Sequence, residues 1–344
     1  MNRVLYLDIL RIMAIIAVVM LHVSAQRFYV SFPSYEWEVR MFFNSMVRWG
    51  VPIFVMISGA LFLDPQKNIS LAKLYSRNIL RIFVAFIIWS VVYELYVFKE
   101  WTNSSSFFLG IIQGPVHLWF MKMIIGLYVV IPLLRTIVIK RKVETYFLGL
   151  AFISTFLFRL ISDCFGLFNE SLQLLVNNII KSLYLEIAVG FTGYFVLGHY
   201  LNSYTLSSKE KQIVYLLGFL SFFIVVVFTH FFSHFSGHPV VTFYDNLKPF
   251  TLFEAVAIFL FVKDEYKSIS TSYHTIIMKL SNLCFGIYLI HLLFIWIARD
   301  NIGFEFSKWY SIFFIPLFGF LVLLISGLFS WLLSKIPLIN KYVV

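Results

Sequence analysis

Cysteine is almost missing: the 344 residues hold two, Cys164 and Cys284, far apart along the chain. That excludes a disulfide framework and a thiolate metal centre. Charge is scarce too, at 13% of residues, and acids number 17 against 27 bases. The net charge of +10 does not point to nucleic acid, because the bases are scattered between apolar runs and never gathered into a tract. Linkers are also missing. No Pro-, Gly- or Ser-rich stretch divides the chain, and no polar segment is long enough for a soluble domain. What is there is hydrocarbon: 60% of the residues are hydrophobic and the mean hydropathy is +0.87. A soluble protein of this length would expose too much apolar surface. The chain therefore reads as one all-α, polytopic membrane domain over residues 1–344.

Apolar runs of about 15–25 residues, the length a bilayer requires, fall near 6–25, 48–63, 80–98, 116–134, 144–163, 182–201, 212–232, 281–299 and 310–334, with a shorter eighth near 250–262 that either starts earlier or is tilted. About ten transmembrane helices put both termini on one side. Sixteen Lys and Arg fall on that side, from Arg3 through Lys67, Lys73, Arg77, Arg81 and Arg135 to Lys335 and Lys341. Nine, among them Arg27, Arg48, Lys99, Lys248 and Lys308, fall on the other. The positive-inside rule then predicts cytoplasmic termini. The stretch MNRVLYLDILRIMAIIAVVMLHVSAQ imitates a secretory signal, and its VSA resembles a cleavage site. Asp8 and Arg11 interrupt its early part, however, and many more runs follow, so we read it as a retained first helix.

Why that helix should carry Asp8, Arg11 and His22 is the first functional question. At about 100° per residue, His22 lies three turns and roughly 20° beyond Arg11, with about 16 Å of rise between them, and Asp8 falls within about 60° of both. Facing lipid, an ionised group near the bilayer centre would cost about 3 kcal/mol or more, so this stripe must turn towards protein or a hydrated cavity. For Asp8 alone, a snorkelling i,i+3 pair with Arg11 at the interface is an equally good account.

The helix YLDILRIMAIIAVVMLH is followed by VPIFVMISGALFL, KLYSRNILRIF, HLWFMKMIIGLYVVIPLLR, GYFVLGHYL and LSNLCFGIYLIH. In this order and spacing the chain resembles acyltransferase family 3, integral-membrane O-acyltransferases that decorate bacterial surface glycans. It is most similar to the branch that acetylates enterobacterial common antigen and related polysaccharides. It departs from the family where an Arg-x-x-Arg pair opens the third helix: Asn78 occupies the first position, and Arg77 and Arg81 stand four apart. The resemblance implies a cytosolic acyl-CoA donor, acetyl-CoA by default, and an acceptor hydroxyl on a glycan or lipid-linked sugar. It also implies a bacterial cytoplasmic-membrane location and a required histidine at His22.

The residues offer places for both substrates. Guanidinium groups suit the phosphates of CoA, and Arg77, Arg81 and Lys73 stand one turn apart at the cytoplasmic end of their helix, with Arg11 at similar depth. His22 is the expected base, and His117 and His291 are further candidates. A neutral imidazole that takes the acceptor proton is commonly worth about 10²–10⁴ in rate; transient acylation of the imidazole is the alternative. Ser281, Cys284, Tyr288 and His291 recur at i, i+3, i+7 and i+10 as a polar stripe. The rise from Arg11 to His22 matches the reach of a pantetheine arm, so the thioester can thread inward while the phosphates stay with the arginines. Among acids near outer helix ends (Glu94, Asp163, Glu186 and Glu254), Glu94 and Glu186 are taken as acceptor clamps, with Tyr288 and the motif residue Trp119, itself equally readable as an interfacial anchor. Ser58-Gly59 reads as a close helix contact.

His230, His234 and His238 have the spacing of paired metal ligands, but no neighbouring acid completes a set; a pH-sensitive or glycan-facing loop fits better, interfacial packing is plainer still, and no metal is expected. A glycan exporter or flippase is the rival function, and an accessory or sensory membrane domain a third. The expected partners are acyl-CoA, the acceptor glycan and the lipid bilayer, without nucleic acid, and a homo-oligomer stays open.

Overall fold

Every apolar run has a helix beneath it in the computed structural model, which describes residues 4–97, 104–304 and 310–343. Arg3, Lys99 and Lys308, three of the bases used to orient the chain, lie outside the described residues. In chain order the helices begin with α1 (Leu5–Ser24), α2 (Tyr35–Met46), α3 (Gly50–Phe62), α4 (Leu71–Val97) and α5 (Ser104–Gln113). Next come α6 (Trp119–Val129), α7 (Ile131–Ile137), α8 (Arg141–Gly166), α9 (Glu170–Ser182) and α10 (Thr192–Ser203). The last are α11 (Ser208–Ser236), α12 (Pro249–Glu265), α13 (His274–Ile302), α14 (Ser311–Ser334) and α15 (Pro337–Tyr342). Among the described residues there is no strand. Among the described residues, seven helical segments are long and apolar enough to cross a bilayer, and a pair bent by 45° at residues 114–115 makes an eighth. The shorter α10 and α12 account for the other two runs. This is an all-α, multi-pass membrane protein.

Local chemistry explains where helices depart from the apolar runs. The second run is preceded by α2, which starts at the Ser34 cap, well before residue 48. The fourth breaks after Val129, because Pro132 near the start of α7 has no N–H to continue the ladder. The sixth is corrected at its start, from 182 to Thr192. Tyr184 and Gly190 adopt left-handed backbone (φ 51° and 78°), and the Gly190 N–H donates to Thr155 Oγ1 at 2.9 Å instead of joining a helix. Residues 170–182 form the separate α9.

The bundle is organised around α1, which no Gly or Pro interrupts. Helices α3, α13 and α14 pack along it. Its N-terminal half (Leu7, Leu10, Ala14) belongs to one apolar core and its C-terminal half (Ile15, Val19, Val23) to a second. The ionisable stripe is thus turned into protein. Two glycines allow the tightest crossing, between α3 and α10: a Cβ on Gly59 would lie 1.7 Å from the Phe195 carbonyl oxygen, and one on Gly198 1.9 Å from that of Met56. Small residues that let backbones touch are the usual device where lipid offers no hydrophobic drive between helices.

Candidate active site

At the N-terminal end of α1, two of the three side chains expected on one face, Asp8 and Arg11, meet each other and Ser281 of α13, while His22 lies at the opposite end of the helix. Asp8 is wholly buried and accepts from Arg11 Nη1 at 2.8 Å and from Ser281 Oγ of α13 at 2.7 Å. Snorkelling is therefore not its role. It anchors Arg11, which keeps 29% of its side chain exposed, in the wall of a cavity of about 890 Å³. Lys67, Lys73, Arg77 and Arg81 line the same cavity, as do Asn78, Cys284 and Tyr288. The four bases and Arg11 give it a strongly positive wall, while Phe54, Phe62, Phe120 and Ile124 make its floor apolar.

The departure from Arg-x-x-Arg has a structural answer. Residues Leu74–Ile79 of α4 form a π turn. Such a turn absorbs one extra residue without disturbing the helix on either side. Arg77 and Arg81, one residue further apart than the pattern, thereby face the same cavity. Arg81 also stacks over Phe285 at 5.5 Å.

Beyond the far end of the cavity, α1, α13 and the 3₁₀ turn Val116–Leu118 that leads into α6 bring His22, His291 and His117 together. Ring centroids are 5.2 Å apart for His22–His291, 5.3 Å for His117–His291 and 6.3 Å for His22–His117. His117 and His291 are buried, whereas His22 keeps exposed surface. The Nδ1 of His291 sits 3.1 Å and 2.8 Å from the carbonyls of Ile287 and Tyr288, so it carries the proton and Nε2 the lone pair. That Nε2 has no protein partner. Tyr288 joins the two regions: it lines the cavity, donates to the His117 carbonyl at 2.6 Å, and its ring meets His117 at 5.6 Å. None of the imidazoles lines the cavity itself, so Tyr288 and Phe120, whose rings touch at 5.7 Å, form a partition between them. Tyr93 of α4 braces the cluster, donating to the Leu289 carbonyl at 2.9 Å and contacting His117 at 5.0 Å.

The other expected residues lie apart. Glu94 sits over Gly110 of α5, with its carboxylate 2.3 Å from where a Cβ would be. Trp119 is exposed against Phe191, and Glu186 is exposed on a short 3₁₀ turn. Asp163 pairs with the buried Lys248 and accepts from Gln173. Glu254, passed over in the sequence, is buried with Oε2 lacking a partner, and Arg48 acts electrostatically on both it and His22. Arg135, readable only as a topology charge, donates to the carbonyls of Phe62, Pro65 and Lys67 at 3.1, 3.3 and 2.6 Å, and so shapes the loop at the cavity mouth. No periodicity within one helix signals either contact; both partners are distant in sequence.

No curated protein and no solved structure matches the chain. The family model described as an acyltransferase domain, Acyl_transf_3, matches residues 4–331, nearly all of it. With that match spanning the basic cavity, the imidazole cluster and the helices that join them, the chain belongs to acyltransferase family 3 and is a membrane acyltransferase.

Proposed function

We propose that the protein moves an acyl group, by default acetyl, from cytosolic acyl-CoA to a hydroxyl of a surface polysaccharide or lipid-linked glycan, within a bacterial cytoplasmic membrane. One observation carries this reading: α1 and α13 each run from a cavity walled by Arg11, Lys67, Lys73, Arg77 and Arg81 to a cluster of three imidazoles. Guanidinium groups at the mouth suit the CoA phosphates. The apolar interior suits a pantetheine arm, and about 16 Å of helix rise separates the two ends.

In the proposed step, His22 takes the proton of the acceptor hydroxyl as its oxygen attacks the thioester carbonyl carbon. The C–S bond breaks, an ester forms, and CoA leaves as the thiol with the proton His22 returns. His22 is the base because it alone of the three keeps exposed surface; His117 and His291 hold it in place. Tyr288 is the partition that the acyl group passes. On the acceptor side, Glu254 and Arg48 join Glu94, Trp119 and Glu186 as candidates, since the buried Glu254 Oε2 has no hydrogen-bond partner and can accept from a sugar hydroxyl.

The test is purified protein with labelled acetyl-CoA and isolated surface glycan. His22→Ala is expected to lower transfer by about 10²-fold or more while CoA affinity stays near that of the wild type. Undiminished transfer in that variant removes the base. Glycan movement across vesicles without any acyl-CoA, and no acyl product, would replace the enzyme with an exporter.

A further inference from the structure

The three histidines near the end of α11 lacked an acid in the sequence; the fold supplies one. Glu38 of α2, 192 residues from His230, places Oε2 3.0 Å from His230 Nδ1 and Oε1 2.9 Å from His234 Nε2. The donor atoms all lie within 4.8 Å of one another. We propose that Glu38, His230 and His234 form a divalent metal site, with zinc the fitting ion, that fastens α2 to the outer end of α11.

Several independent features point the same way. His230 and His234 are one helical turn apart, with ring centroids at 4.5 Å, so both face one point. Donors at zinc bond lengths of about 2.0–2.2 Å from a tetrahedral ion lie about 3.3–3.6 Å apart; the two Glu38–histidine contacts, at 2.9 and 3.0 Å, are already closer than that, and the widest separation, within 4.8 Å, closes on binding. Two imidazoles and one carboxylate form a donor set used by zinc with a further position open, whereas calcium and magnesium prefer all-oxygen shells. The ring of His234 is fixed between Phe32 at 5.3 Å and Trp37 at 5.7 Å. Nearby Arg27 and Arg40 pair with Glu36, leaving the Glu38 carboxylate to the imidazoles. Side-chain exposures of 51%, 42% and 33% for His230, His234 and Glu38 let an ion and a water in. His238 does not take part: the left-handed Gly237 ends the helix before it.

Such a clamp would act on the reaction centre's surroundings. Helix α2 carries Asn44, which donates to Ser24 Oγ at 3.0 Å and the Leu21 carbonyl at 3.3 Å, on either side of His22. An ion bound only by the folded protein stabilises it by mass action.

The experiment uses the full chain in detergent, stripped with a chelator and titrated with Zn²⁺ against a chromophoric competitor. We expect one equivalent bound with a Kd below about 1 µM, well within the range of folded zinc sites, and a higher Tm. Glu38→Gln and the double variant H230A/H234A should each lose that equivalent and the Tm response. Co²⁺ in the wild type should give visible bands of a four-coordinate N/O site, which reports the geometry even if a variant fails to fold. Absence of a tight equivalent in the wild type, or its retention in both variants, overturns the site; retention would place the ion elsewhere, as among the buried imidazoles.

Discussion

A carboxylate with no exposed surface, Asp8, holds a guanidinium in a cavity wall, and removing its charge separates two effects. Asp8→Asn keeps the shape and a hydrogen-bond acceptor for Ser281 but leaves Arg11 without its ionic partner. Because Arg11 reaches the cavity, the loss of stability should be about 2 kcal/mol, below the roughly 3–5 kcal/mol of a wholly buried pair. The KM for acyl-CoA should rise about tenfold, equivalent to ~1.4 kcal/mol, as Arg11 loses its orientation. Thermal melting and steady-state kinetics check the two parts. A variant with wild-type KM would show that Asp8 serves the fold alone. At this scale the sequence was informative wherever one helix carries all the partners: the Asp8–Arg11–His22 face and the Ser281–His291 stripe are matters of 3.6-residue periodicity. The partners of Glu38, Glu254 and Arg135 were not legible, since they come from helices whose adjacency only the fold decides.

At the scale of the element, the π turn in α4 makes a sharp expectation. If residues Leu74–Ile79 absorb one surplus residue, deleting Asn78 turns the segment Arg77-Asn78-Ile79-Leu80-Arg81 into Arg-x-x-Arg on an ordinary α-helix. Both guanidinium groups then keep their cavity positions. The deletion should leave KM for acyl-CoA within about tenfold of wild type, ~1.4 kcal/mol, although deletions inside membrane helices normally rotate everything on one side by about 100°. A loss of CoA binding as deep as that of Arg81→Gln would mean that the turn is not a compensating insertion. The motif departure was visible in the sequence; its remedy was not, because a π turn leaves no pattern in hydrophobicity. Apolar length alone likewise missed the break before Thr192, where two left-handed residues and a side-chain hydrogen bond outrank an otherwise greasy run.

Across the whole molecule, the proposed chemistry requires that the cavity mouth and the loop after His22 open on opposite faces of the membrane. The ten runs and their charge bias already implied this, because hydrophobic length and Lys/Arg asymmetry are properties of the chain before it folds. Single-cysteine reporters test it directly, in a background with Cys164 and Cys284 replaced. Asn68 is exposed and lines the cavity, and Val30 is 73% exposed in the loop between α1 and α2. In right-side-out sealed vesicles, a membrane-impermeant maleimide should label Val30→Cys and spare Asn68→Cys, with the reverse in inverted vesicles. Saturating acetyl-CoA should slow labelling of Asn68→Cys in inverted vesicles and leave Val30→Cys unaffected, since only the former shares a wall with the basic groups. Labelling of both positions from one side would put donor and acceptor in the same compartment, and the acyl group would then have no membrane to cross.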